Sequence, residues 1–132
     1  MSKYEYDIIT VGGGLGGATL AKAMAENGAR VLVIERERKF KDRIRGEVVF
    51  PWGVAELQKL GLCQLLLDTC ARSIRWQDTY IGGVRTEHRD VIATSPQQAP
   101  MLNWLHTEME EVLLQAAQDA GAEVRRAHGR PL

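Results

Sequence analysis

Residues Tyr6 to Glu35 read YDIITVGGGLGGATLAKAMAENGARVLVIE, and this stretch decides the fold. Tyr6–Val11 is a short β-branched run suited to a buried strand. It breaks at Gly12-Gly13-Gly14, after which Leu15 to Asn27 carries helical spacing at Leu20, Met24 and the alanines. Gly28 is a natural stop for that helix. Val31–Ile34 is apolar, too short for a helix and bounded by charge, which predicts a second buried strand. Strand, helix and strand in this compass form a βαβ unit, whose crossover makes the two strands parallel.

Gly12-x-Gly14-x-x-Gly17 therefore sits between a strand and a helix, the context in which G-x-G-x-x-G marks a dinucleotide site. Each glycine has its own task. Gly12 permits the tight turn. Gly14 lets a pyrophosphate reach backbone N–H groups at the positive end of the helix, and Gly17 lets helix and strand pack closely. Glu35, at the carboxyl end of the second strand, is placed to accept hydrogen bonds from a ribose of an adenosine half. An ionised carboxylate there repels a 2′-phosphate, which argues against NADP as the ligand of this site.

The rest of the chain is read outward from this unit. Glu35 to Glu47 (ERERKFKDRIRGE) is crowded with charge and predicts a loop or extended arm. Arg36, Arg38, Lys39, Lys41 and Arg43 read as solvated, whereas Arg45, followed by flexible Gly46, could direct its fork at cofactor oxygens. Pro51 opens a helix to Leu60, with Gly61 closing it, and Leu62–Cys70 forms another short helix. From Ser73 to Pro100 the texture predicts two or three strands around Gly82-Gly83, with Val84–Ala93 as one of them and a loop at Pro96–Pro100. Leu105, Met109, Val112, Leu113, Ala116 and Ala120 then make one helical stripe, with Thr107 and Glu110 matching a capping box and Gly121 as the stop. Ala122–Arg126 predicts a last strand.

Composition bounds the function classes. The 132 residues suit one domain, and 17 basic against 17 acidic side chains disfavour a global grip on nucleic acid. No apolar run approaches a membrane span, the first residues are polar, and two cysteines are too few for a disulfide framework, so a cytoplasmic protein with reduced Cys63 and Cys70 is expected. His88, His106 and His128 are scattered and no metal-ligand spacing occurs, so neither a catalytic residue nor a metal site is assigned.

VGGGLGGATLAKAMAENGARVLVIER followed by RIRGEVVFPWGVAELQKLGL resembles the start of an FAD-dependent oxidoreductase of the p-hydroxybenzoate hydroxylase-like superfamily, which includes aromatic-ring hydroxylases, halogenases and geranylgeranyl reductase-like enzymes. The glycine motif, Glu35, the Arg45-Gly46 step and the helix from Pro51 to Gly61 carry the resemblance, and His106–Val124 resembles the family's next helix and strand. Many relatives place an arginine used near the flavin where this chain has His106, here read as a helix-start residue. Family members are longer and carry a second FAD-contacting Gly-Asp motif that this chain does not reach. The resemblance implies an N-terminal part of a flavin monooxygenase, with FAD as cofactor, NAD(P)H as reductant, O2 as co-substrate and a small organic molecule as substrate.

The fold class expected is α/β: a Rossmann-like FAD-binding βαβ unit with a parallel sheet plus the start of a β-rich substrate region, truncated relative to the family. Residues 1–72 and 101–132 form the FAD-binding region and 73–100 a β-hairpin insertion. The cofactor-binding set is Gly12, Gly13, Gly14, Leu15, Gly16, Gly17, Glu35, Arg36 and Arg45. No nucleic acid and no membrane insertion are expected. Incomplete cover over Trp76, Tyr80 and Leu113 points to a homo-oligomer, and the chain alone is expected to be inactive. Two other readings fit the same residues: an NAD-binding Rossmann module of another oxidoreductase, or a non-catalytic FAD-binding remnant.

Overall fold

A computed structural model describes residues 3–43 and 47–127. In chain order the elements are β1 (Ile8–Val11), α1 (Leu15–Glu26), β2 (Val31–Glu35), β3 (Val48–Val49), α2 (Pro51–Lys59), α3 (Cys63–Thr69), β4 (Arg72–Ile74), β5 (Trp76–Ile81), β6 (Val84–Asp90), α4 (Val91–Thr94), β7 (Met101–Asn103), α5 (His106–Asp119) and β8 (Glu123–Arg126). They group into two units, residues 1–45 with 106–132, and residues 46–105.

The first unit is a parallel three-stranded sheet in the order β1-β2-β8. Ile8 pairs with Val31 and Val11 with Ile34, while Leu32 pairs with Glu123 and Glu35 with Arg126. Helices α1 and α5 pack on each other and against the sheet. Small residues make the approach possible: Ala18 and Ala21 of α1 are fully buried, as is Ala117 of α5. Met109, Leu113 and Leu114 complete this core with Val31 and Val33. Each large apolar side chain so buried contributes about 1.5–3 kcal/mol. Two details differ from the expected helix stripe. Met109, Leu113 and Ala116 of the expected stripe are buried and are joined by Leu114 and Ala117, while Val112 and Ala120 are only half-buried and Leu105 is exposed, because α5 faces α1 as well as the sheet. Thr107 lies inside the first turn of a helix that starts at His106, so it does not cap it.

In the second unit β3 and β4 flank β7 in an antiparallel sheet. Pro51 opens α2 as expected, and Val54, Leu57, Leu62 and Leu66 are buried. The β5–β6 hairpin turns at Gly82-Gly83 and leaves Trp76, Tyr80, Ile81 and Val84 exposed, whereas Leu113 is covered. The strand expected over Val84–Ala93 stops at Asp90, whose carboxylate accepts from the Ile92 and Ala93 amides at 3.1 Å and so starts the short α4. Arg75 holds that cap in place, donating to the same carboxylate at 2.7 Å. Cys63 and Cys70 are not joined in a disulfide, and burial pushes the Cys63 thiol up.

Candidate functional site

The site is built at the carboxyl ends of β1 and β2, where the chain leaves the sheet for α1. The Gly12 N–H donates to the Ile34 carbonyl at 2.8 Å, closing the turn, and Gly12 takes φ +102°, which a side chain would oppose. Gly17 is fixed by a close approach instead, since a Cβ there would stand 1.9 Å from the Gly12 carbonyl oxygen. Gly14 precedes the first residue of α1 and provides no side-chain cap. The first-turn N–H groups of α1 thus point outward with the helix dipole behind them, a ready donor set for an anion.

Glu35 is 5% exposed and turns its carboxylate into this turn. One oxygen accepts from the Gly13 N–H at 2.6 Å and the other from the Glu37 N–H at 2.8 Å. A carboxylate offers about four acceptor positions, so two remain for ligand hydroxyls. Behind the turn, Leu114 Cδ1 lies 3.0 Å from the position of a Cβ on Gly13, which props the loop against α5.

A cavity of about 580 Å³ opens beside these groups, bounded by Val11, Gly12 and Gly14, by Ile34–Glu37 and the arm after it, and by residues of α5 and β8. Arg36, Arg38, Lys39, Lys41 and Arg43 are exposed to solvent, as expected, and several of them share an acid. Glu37 gathers Arg43 at 2.5 Å, Lys41 at 3.4 Å and Arg36 at 3.7 Å. Arg126 anchors the arm from β8: it donates to Glu111 at 2.5 Å and to the Arg38 carbonyl at 2.7 Å, and it lies 4.9 Å from the centre of the Phe40 ring. Glu111 also accepts from the Phe40 N–H at 3.2 Å.

Among the residues expected from sequence, Gly12, Gly14, Glu35 and Arg36 border the cavity. Gly13 is buried against Glu35, Gly17 lies beneath the turn, and Leu15 and Gly16 sit exposed on the first turn of α1. Arg45 lies outside the described residues. Sequence reading did not bring His106, Glu110, Glu37 and Arg126 to this cavity, although they line it. The i,i+4 spacing of His106 and Glu110, which pair at 3.3 Å, was the available signal.

The arrangement fits the adenosine diphosphate half of a dinucleotide: unpaired helix amides, a glycine where phosphate would approach, and a buried carboxylate with spare lone pairs. Residues 5–129 match the model of the FAD binding domain family. The chain belongs to that family. Squalene epoxidase ERG1 of Gibberella zeae is 52% identical to it over 59 residues, 45% of this chain and 12% of that protein. PqsL of Pseudomonas aeruginosa in complex with 2-aminobenzoylacetate superposes with a TM-score of 0.77 at 20% identity, over 92% of this chain and 33% of that one. For p-nitrophenol 4-monooxygenase PnpA of Pseudomonas putida the TM-score is 0.76 at 22% identity, over 90% and 31%. This FAD binding domain thus shares its fold with PqsL and PnpA and takes FAD as its cofactor, and it spans a minor part of the length of the proteins it matches. Among the described residues no helix is long and apolar enough to cross a membrane.

Proposed function

We propose that this chain holds the adenosine diphosphate half of FAD for a flavin monooxygenase that uses NAD(P)H and O2 on a small organic substrate. The observation that carries the reading is the closure of the Gly12–Gly17 turn over the α1 amides with Glu35 buried beside it. Gly14 and the α1 N-terminal N–H groups would hold the pyrophosphate, and Glu35 would accept from the adenosine ribose with its remaining lone pairs. Gly12, Gly13, Leu15, Gly16 and Gly17 shape or line that turn, and Arg36 and Arg45 belong to the arm beside it. Bound FAD supplies the redox chemistry; the chain's residues supply placement and a fixed electrostatic environment. Residues 1–72 with 101–132 serve the cofactor, and the hairpin segment 73–100 begins the part facing substrate. The chain by itself is expected to bind FAD poorly and without turnover.

The test is FAD titration followed by flavin fluorescence. Gly14→Val sets a branched side chain against the Glu110 carboxylate oxygen, 3.1 Å from the Cβ position, beside the α1 N-terminus, and is expected to weaken binding at least tenfold, about 1.4 kcal/mol. Glu35→Ala removes a charge-assisted hydrogen bond worth about 1.5–3 kcal/mol. FAD affinity indifferent to Gly14→Val would remove the site.

A further inference from the structure

Glu35 and Glu110 flank the glycine turn, and they meet it differently. Glu35 has both oxygens engaged by backbone N–H groups, those of Gly13 and Glu37. Glu110, from α5, brings Oε1 to within 3.1 Å of the place a Cβ on Gly14 would occupy. No acid lies in the first turn of α1 itself, so α5 supplies this one by packing on α1. The side chain is held there: it is 16% exposed, and His106 Nε2, one turn earlier on α5, lies 3.3 Å from the same oxygen. A carboxylate near a helix N-terminus is stabilising by itself, but it opposes any second anion brought to the same amides.

The cations of the cavity act the other way. Arg36, Lys41 and Arg43 are exposed and share Glu37, so the arm keeps an excess of positive charge. Exposed, screened cations draw in every nucleotide, the more charged ones most. They cannot favour the less charged ligand of a pair. Glu110, set against the turn, is placed to do so.

The phosphate that meets Glu110 follows from the order of the turn. Glu35, which would hold the ribose, bonds the Gly13 amide, and Gly14 is the next residue along. A ligand fixed by its ribose at Glu35 would therefore reach Gly14 with the phosphate remote from the adenosine. In FAD that phosphate is a diester with one negative charge. In ADP it is a terminal monoester, which near pH 8 carries two.

We propose that Glu110 is a specificity-determining residue of the cofactor site: its carboxylate beside Gly14 penalises a terminal phosphate, so the site favours an adenosine diphosphate that continues into a further ester, as in FAD, over ADP itself. The inference rests on the pyrophosphate lying at the Gly12–Gly17 turn. One added charge about 4 Å from a carboxylate in water-like surroundings weakens binding about fivefold, and more where water is excluded.

The experiment compares ADP-ribose, whose remote phosphate is a diester, with ADP, near pH 8 and without divalent cation. Neither carries the flavin, so the pair differs at the group Glu110 would face. Amide NMR shifts of the isotopically labelled 132-residue chain report affinity and place together. The quantity read is the ratio of the two dissociation constants, since the arm's cations are the same in parent and variant. Glu110→Gln is expected to tighten ADP more than ADP-ribose and to move the ratio about fivefold toward ADP. Glu110→Ala moves it the same way and serves where the glutamine variant fails to fold by circular dichroism. Glu108→Gln removes an equal charge from an exposed position of the same helix and leaves the ratio unchanged. ADP-ribose that shifts the Gly12–Gly17 amides, with a ratio unmoved by the Glu110 variants or moved equally by Glu108→Gln, overturns this inference and leaves the site standing. Ligands that bind without shifting those amides, or that do not bind at millimolar concentration, overturn both.

Discussion

Gly17→Ala is the most demanding test of how the turn is held. The added methyl would stand 1.9 Å from the Gly12 carbonyl oxygen and 3.1 Å from the Gly12 carbonyl carbon. A Cβ needs at least about 3 Å, so α1 must retreat from β1 by roughly 1 Å. The obstacle is backbone and cannot rotate away. Overpacking of this kind costs about 1–3 kcal/mol, occasionally more, against about 0.5–1 kcal/mol gained when alanine replaces glycine in a helix. The net expectation is a loss of about 1 kcal/mol, or about 4 °C in Tm for a chain of this size. Gly16→Ala is the internal control, because nothing lies within 4 Å of its Cβ position. It should melt at or slightly above the parent temperature. Thermal unfolding by far-UV circular dichroism reads both, and FAD titration should show weakened binding for Gly17→Ala alone. A Gly17→Ala protein that melts with the parent, or a Gly16→Ala protein equally damaged, would refute the close-approach account.

Other outcomes follow from the same geometry. Leu114→Ala empties a fully buried position that props Gly13 and should cost about 2–5 kcal/mol in urea unfolding. Glu35→Ala strands the Gly13 and Glu37 amides, so it should lower stability by about 1–3 kcal/mol even without FAD, a loss that a role in ligand binding alone would not produce. The Asp7 carboxyl, held by the Arg30 side chain at the start of β2, is lowered to about 2. Its stabilisation is complete above its unfolded value of 3.8 and is lost as pH falls through about 2, so the gap in urea midpoint between parent and Asp7→Asn should close over that window.

The βαβ unit was legible because its signals are local: two apolar runs, a glycine turn and a small-residue helix within one stretch. That the glycines and Glu35 would lie together was legible for the same reason. Strands β3 and β7 were not, since they are two and three residues long and find each other across the chain, Val48 opposite Asn103. Val91 and Ile92 have strand propensity, and the Asp90 cap overrides it. At the site, Glu110 and His106 reach the glycine turn only because α5 packs on α1, a contact that periodicity does not encode. The basic arm is solvated as its charge predicts, but its anchoring by Glu37 and by Arg126 from a distant strand was not legible.

The first unit is assembled from the two ends of the sequence, and that has a consequence during synthesis. Once α1 has been made, about eighty residues must be added before α5 begins, and β8 comes later still. At roughly 5–20 residues per second, α1 waits about 4–16 s for the helix that covers it. Through that interval Ala18 and Ala21 are without α5, and β2 lacks the neighbour that completes its ladder. The nascent chain thus carries a half-made nucleotide site past the ribosome exit while residues 46–105 emerge. A chain ordered this way is most exposed to misassembly until β8 has been translated and has paired with β2.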